Sequence, residues 1–221
     1  HPEYSLEDMR LEMSSYGKSD IREPFIDIEF ADGCLSTDFV YESSTVTEGK
    51  KPLATMPSSY EDNGIVDELT IVLKEKEYGL KLELHYSVFE NRDVISRYSK
   101  LFNSGDSAIN LVRLMSNQVD FETNEYILTT FNGGWAREMN RNDFTVTAGK
   151  HVNYSYTGSS SSRANPFVML SKESTSEDYG DCYGFNLVYS GNHYEAVEVN
   201  TFGKTRFVQG INPQSFKFTL E

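Results

Sequence analysis

The apolar residues of this chain recur at every second position in run after run, and that spacing constrains its fold more than any other feature. In "PFIDIEF" (24–30), Ile26, Ile28 and Phe30 share one side while Asp27 and Glu29 take the other. In "LKLELHYSVFE" (80–90), Leu80, Leu82, Leu84, Tyr86 and Val88 alternate with Lys81, Glu83, His85 and Ser87. A period of two puts successive side chains on opposite faces of an extended strand, which predicts strands with one face buried and one solvated. Similar runs are "ELTIVLKE", "VISRYSKLF", "NLVRLMSNQVDF", "EYILTTF", "FTVTAG", "HVNYSY", "NPFVML", "YGFNLVYS", "YEAVEVNTF", "TRFVQG" and "FKFTLE". Turn formers stand between them at Asp32-Gly33, Asn91-Arg92-Asp93, "NSGDS" (103–107) and "SGN" (190–192), where the backbone must reverse. About a dozen strands joined by short turns predict an all-β chain folded as a large antiparallel two-sheet β-sandwich. The best helix candidate is "SLEDMRLEM" (5–13), with Ser5 placed to cap and Asp8 at the capping-box position. "TGSSSSRANP" (157–166) reads as a mobile loop, because its four serines bury nothing that offsets the entropy of ordering. Order is expected to resume at Pro166-Phe167.

The length of 221 residues suits one large domain or two small ones. A chain of this size buries roughly 70% of its extended surface and folds without covalent staples. Its 34 acidic residues outnumber 20 basic ones, for a net charge of −14. Phosphate backbones and anionic membranes call for clustered Lys and Arg, so nucleic acid and membrane are excluded as partners. Cys34 and Cys182 form no Cys-x-x-Cys spacing and are expected to be free thiols, which fits a cytoplasmic protein. The start "HPEYSLEDMR" has neither the basic opening nor the apolar stretch of a signal peptide. It also lacks an initiator Met, so the chain is expected to be a piece of something longer.

Convergent polar groups are scarce. His1, His85, His151 and His193 are scattered singly, so no metal or cofactor site is predicted. The sequence has no Gly-x-Ser-x-Gly elbow and no phosphate-cradling Gly-Lys-Ser/Thr loop. Carboxylates are so abundant that a glycosidase pair cannot be assigned from them. The singular feature is "FNGGWAREMNR" (131–141), which places the one tryptophan, Trp135, behind two glycines and before a group of charges. Trp135 either plugs a gap beneath a turn or presents an aromatic face on a loop. An acidic, aromatic-rich β domain of this kind suits carbohydrate recognition, since flat rings stack on the C–H faces of sugars. A purely structural domain is the competing reading.

Several stretches together resemble one family. "SYGKSDIREP" (15–24) resembles the "YGxGDxRxPA" stretch of the glycoside hydrolase family 36 α-galactosidases, and "FNGGWARE" (131–138) resembles their "LxGAWARER". "ANPF" (164–167) is similar to "HNPF", "EDYGDCYGFNLVYSGN" (177–192) to "EDxGEVYGFSLVYSGN", and "VQGINPQSFKFTLE" (208–221) to "LGINPxxFxWxLE". The order and separations agree from about residue 4 to the end. Gly134 stands where the family has Ala, and Met139 where it usually has Arg. The resemblance implies that residues 1–221 are a single amino-terminal β-supersandwich domain of the galactose mutarotase-like type, trimmed at both ends. It also implies a following catalytic (β/α)8 barrel that is not present here. The family's "KWD" nucleophile strand and "SDxxD" acid/base stretch do not occur in this sequence, so no catalytic residue carries over and the chain alone is expected to be inactive. The parent implied is a retaining α-galactosidase acting on melibiose- and raffinose-type α-galactosides. It is expected to be a homo-tetramer in which Trp135 lines a neighbouring subunit's pocket. A free-standing carbohydrate-binding β-sandwich module is the alternative.

Overall fold

In the computed structural model, residues 5–60 and 65–221 are described, and His1 lies outside them. The chain divides into two compact units. One comprises the segment up to Asp27 together with Arg113–Phe216, and the other comprises Ile28–Val112 with Lys217–Glu221. Among the described residues the strands run in the order β1 (Ile26–Glu29), β2 (Phe39–Glu48), β3 (Val66–Glu75), β4 (Leu80–Phe89), β5 (Val94–Asn103), β6 (Ile109–Phe121) and β7 (Ile127–Gly134). There follow β8 (Arg137–Thr145), β9 (Gly149–Tyr154), β10 (Ala164–Ser171), β11 (Cys182–Asn186), β12 (His193–Val199), β13 (Thr205–Ile211) and β14 (Phe218–Leu220). The pairings among β2 to β14 are antiparallel, and the chain is all-β as its periodicity predicts. The helix candidate reduces to a 3-10 turn, Leu6–Asp8, with Ser5 accepting a bond from the Glu7 amide.

The first unit is a sandwich. The part of β6 from Met115 to Phe121 pairs β13, which pairs β12, which pairs β9. Against this sheet lies a second one in the order β11-β10-β7-β8. Leu128, Val168 and Leu170 from the second sheet meet Val197, Val199 and Phe207 from the first, closed by Tyr126 and Val146. Each such fully buried side chain contributes about 1.5–3 kcal/mol. Phe185 stacks on Phe207 with ring centres 3.9 Å apart. The turn from β12 to β13 is tied by Asn200, whose side-chain oxygen accepts from the amides of Phe202 and Lys204.

On its other face the β6–β13 sheet carries buried charge. Arg206 grips Asp120 with two bonds of 2.8 and 2.7 Å, and reaches Asp20 at 2.8 Å. Arg22 in turn holds Asp20 with bonds of 2.9 Å. These are residues of the "SDIREP" stretch, and they tie the amino-terminal segment to the sheet. Burial works against the Asp20 carboxylate, but bonds to Arg22 and the nearby Arg206 charge outweigh it and hold the group below its ordinary range.

In the second unit, β2-β3-β4-β5 form a four-stranded meander, and the first residues of β6 pair β14. Leu80, Leu82 and Leu84 are buried as the alternation requires. The pattern then changes: His85 and Ser87 are buried, while Val88 is 45% exposed. A polar cluster causes this. Glu68, fully buried, accepts from His85 Nδ1 at 3.3 Å and from Ser87 Oγ at 3.3 Å, and His85 stacks on Tyr98 with ring centres 4.3 Å apart.

Three local expectations change. "FTVTAG" is not one strand: β8 ends at Thr145 and β9 starts at Gly149, whose φ of 107° breaks the run. β2 and β8 carry no alternation in sequence, because both are edge strands exposed along nearly their whole length. The serine-rich run is tied down rather than left loose. Gly158 donates to Asn192, the Ser160 amide to the Ser190 carbonyl and the Ser160 hydroxyl to that of Tyr189, and β10 begins already at Ala164. Hydrogen bonds to the 189–192 turn offset the entropy that burial could not. Cys34 and Cys182 are free.

Candidate functional site

Trp135 sits at the tip of the β7–β8 hairpin and is 94% exposed. Among the described residues the indole is left almost wholly uncovered. The hairpin closes with Gly134 paired to Arg137, leaving Trp135 and Ala136 as the turn. Ala136 takes a φ of 60°, a left-handed conformation that an L residue enters at some cost. Its amide is anchored by Glu138 Oε1 at 3.0 Å. Gly133 is required by close approach: a Cβ there would run into the Arg137 carbonyl oxygen. The pairing shifts between Asn132 and Gly134, a bulge that turns the tip.

Below the tip, side-chain bonds stiffen the hairpin. Asn140 donates to the Arg137 carbonyl at 2.8 Å, and Asn142 donates to Asn132 at 2.8 Å. Arg141 and Thr129 both donate to Asp143, at 2.9 and 2.6 Å, and these bonds hold the Asp143 carboxyl below its ordinary range. Arg137 and Glu138 are exposed. Met139, at φ 57°, turns its sulfur to the Asn165 side chain, which donates to it at 3.4 Å. The hairpin is thus a polar, hydrogen-bonded rod with one bare indole at its end. Chemically it can offer an apolar ring face flanked by a cation and a carboxylate.

The structure brings together stretches that are distant in sequence. "ANPF" lies beside the hairpin through Asn165 and Met139, and Gln209 of "VQGINP" reaches the Pro166 carbonyl at 3.0 Å. His193 and Glu195 carry a signal legible in the sequence: in β12 they fall in phase with the buried Val197 and Val199, two polar groups continuing an apolar face. A cavity of about 670 Å³ opens at the other end of β7 and β8, lined by Asn124, Tyr126, Ile127, Thr145, Lys172 and Glu173. Its aromatic face is already taken, since Lys172 Nζ lies 4.4 Å over the Tyr126 ring. Among the described residues no group of three His, Cys, Asp or Glu is placed to hold a metal ion.

Fold and hairpin define an antiparallel β-sandwich domain that presents a tryptophan to solvent. Comparison with known proteins gives the family: the chain belongs to the glycosyl hydrolase family 36 N-terminal domain family, matched over residues 1–221. It is 34% identical over 219 residues to the α-galactosidase AgaA of Geobacillus stearothermophilus, covering 99% of this chain and 30% of that protein. It is 35% identical over 211 residues to α-galactosidase 2 of Hypocrea jecorina, covering 96% of this chain and 28% of that protein. Among solved structures, the α-galactosidase of Lactobacillus brevis superposes with a TM-score of 0.96 at 34% identity, over 99% of this chain and 30% of that one. A variant of AgaA in complex with stachyose superposes with a TM-score of 0.96 at 32% identity, over 100% of this chain and 32% of that one. The chain therefore spans about a third of the length of the proteins it resembles.

Proposed function

We propose that this chain is the non-catalytic amino-terminal domain of a cytoplasmic α-galactosidase. The retaining hydrolysis of terminal α-galactosides takes place in a barrel beyond it, and Trp135 walls the substrate pocket of a neighbouring subunit in a homo-oligomer. The observation that carries this reading is the 94% exposed indole on a hairpin stiffened by side-chain hydrogen bonds. A bare, rigid tryptophan is costly to leave in water and suits a docking surface. Relatives of about three times the length, all α-galactosidases, support the larger parent, and the two free thiols support a reducing compartment. In one relative the bound ligand is raffinose, which supports raffinose-type substrates here.

The test is steady-state kinetics on the full-length enzyme. Trp135→Ala should raise KM for raffinose about 3- to 30-fold with kcat little changed, and Trp135→Phe should restore part of the loss, because a ring face contributes binding more than chemistry. Sedimentation should show an oligomer in both variants. Unchanged KM for raffinose, stachyose and melibiose in Trp135→Ala would remove the pocket-wall role.

A further inference from the structure

The segment beside the Trp135 hairpin is held from behind in an unusual way. His193 Nε2 lies 2.9 Å from the Ala164 carbonyl oxygen, Asn153 Nδ2 2.8 Å from that of Asn165, and Gln209 Nε2 3.0 Å from that of Pro166. Three consecutive carbonyls are therefore taken by side chains from three different strands, β12, β9 and β13. The donors also converge on one acceptor. Glu195 Oε2 receives His193 Nδ1 at 2.8 Å and Asn153 Nδ2 at 2.8 Å, while its Oε1 lies 3.5 Å from Gln209 Nε2. His193, Glu195 and Gln209 are all at most 3% exposed.

A buried carboxylate–imidazole pair gains little over an apolar filling of the same volume, so stability alone is a poor reason for it. Geometry supplies a better one. Along β10 the pairing to β7 goes from Ala164 opposite Asn132 to Val168 opposite Thr130. Residues 165–167 thus bulge out opposite the single residue Phe131. At the bulge the cluster supplies side-chain donors to the carbonyls of Ala164, Asn165 and Pro166, the last of which also accepts from the Leu187 amide at 3.4 Å. The bulge is also the footing of the hairpin. Ala164 pairs with Asn132 two positions before Gly134, Phe167 stacks on Phe131 with ring centres 5.9 Å apart, and Asn165 bonds the Met139 sulfur.

We propose that the Glu195-centred cluster of His193, Asn153 and Gln209 positions the Trp135 hairpin, by fixing the bulged segment 164–167 on which its base rests. The proposal builds on the reading that Trp135 meets substrate, and it makes these four groups, three of them buried, positioning residues for that contact. They touch no substrate themselves. The protonation of the pair agrees with a fixed geometry. Burial drives the Glu195 carboxyl upward. Burial would lower the His193 imidazolium, but the bond to Glu195 outweighs it and raises the group. One proton is thus kept between them, and both ring nitrogens keep their partners.

Hydrogen–deuterium exchange and kinetics on the full-length enzyme test this. In Gln209→Leu and His193→Ala, amides of residues 131–141 should exchange faster, and KM for raffinose should rise about 3- to 10-fold with kcat within about twofold, as expected when a binding surface is misplaced. His193→Gln keeps a donor for the Ala164 carbonyl and should lie nearer to wild type. Val197→Ala, in the apolar part of the same strand, should lower the melting temperature while leaving hairpin exchange and KM unchanged. Unaltered hairpin exchange in both Gln209→Leu and His193→Ala would overturn the proposal, as would an equal rise in Val197→Ala. If hairpin exchange responds while Trp135→Ala leaves KM unchanged, positioning stands and only the assigned use of the hairpin falls.

Discussion

β8 and β12 belong to the same unit yet are opposite kinds of strand. β8 is an edge strand exposed at eight of its nine positions, and β12 is central and buried at six of seven. The exposed one leads away from the turn that bears Trp135, and its polar side chains make hydrogen bonds along the surface. The buried one carries His193 and Glu195, which work inward. The contrast separates two tasks. A residue that must meet a partner is placed where the fold depends on it least. Groups that fix its position are placed where motion costs most.

The largest expected effect attacks the buried side of that contrast. Arg206→Leu leaves Asp20 and Asp120 buried with half their pairing gone, and should cost about 3–5 kcal/mol in urea unfolding. A loss below about 1 kcal/mol would show that water reaches the cluster and that the central sheet is less closed than its geometry implies.

The next effect falls on the hairpin itself. Gly133→Ala drives a methyl into the Arg137 carbonyl and should cost about 1–3 kcal/mol, with the loss confined to the hairpin. Gly134→Ala, where a methyl would meet nothing within 4 Å, should fall within about 0.5 kcal/mol. Equal effects at the two glycines would erase the assigned close approach.

A pH titration sharpens the same comparison. His193 and Glu195 are both raised in the folded chain, so the native state binds more protons than the unfolded one. Their contribution is fully present below the unfolded values. It declines as pH rises, through the carboxylate range for Glu195 and then through the raised His193 value above the ordinary imidazole one, with a slope of up to about 1.4 kcal/mol per pH unit for each proton. Melting temperatures should fall between neutral and mildly alkaline pH, and the fall should flatten in the double variant His193→Gln, Glu195→Gln. A flat wild-type profile would show that the pair does not hold its proton. Asp20 and Glu23 carry the opposite sign: each is lowered by its cationic partners against the pull of burial, and each loses its contribution as pH falls through its folded value.

The smallest effect belongs to Trp135. Trp135→Ala should change folding stability by no more than about 0.5 kcal/mol, as for a surface substitution. A drop in melting temperature comparable with that of Gly133→Ala would return the indole to a structural role.

Local pattern determined much of this protein. Alternation placed Ile26, Ile28 and Phe30 inward, as they are found, and turn residues marked the reversals at Gly33 and at 190–192. Period two is a property of the chain itself, since each strand turns alternate side chains to opposite faces whatever lies beside it. Strands exposed on both faces leave no such trace. β2 and β8 are strands through their hydrogen bonds to β3 and β7, which the pattern within β2 or β8 alone does not announce. Nor could alternation say that His85 and Ser87 turn inward while Val88 faces out, because Glu68 and Tyr98 supply the reason from other strands. Trp135 had two readings in sequence, and the 94% exposure of its indole at the hairpin tip is a fact of the fold alone. The Glu195 cluster joins residues from 153 to 209 around three carbonyls of a bulge. A buried polar group is tolerated only when its partners arrive together, and their arrival is decided by tertiary structure alone.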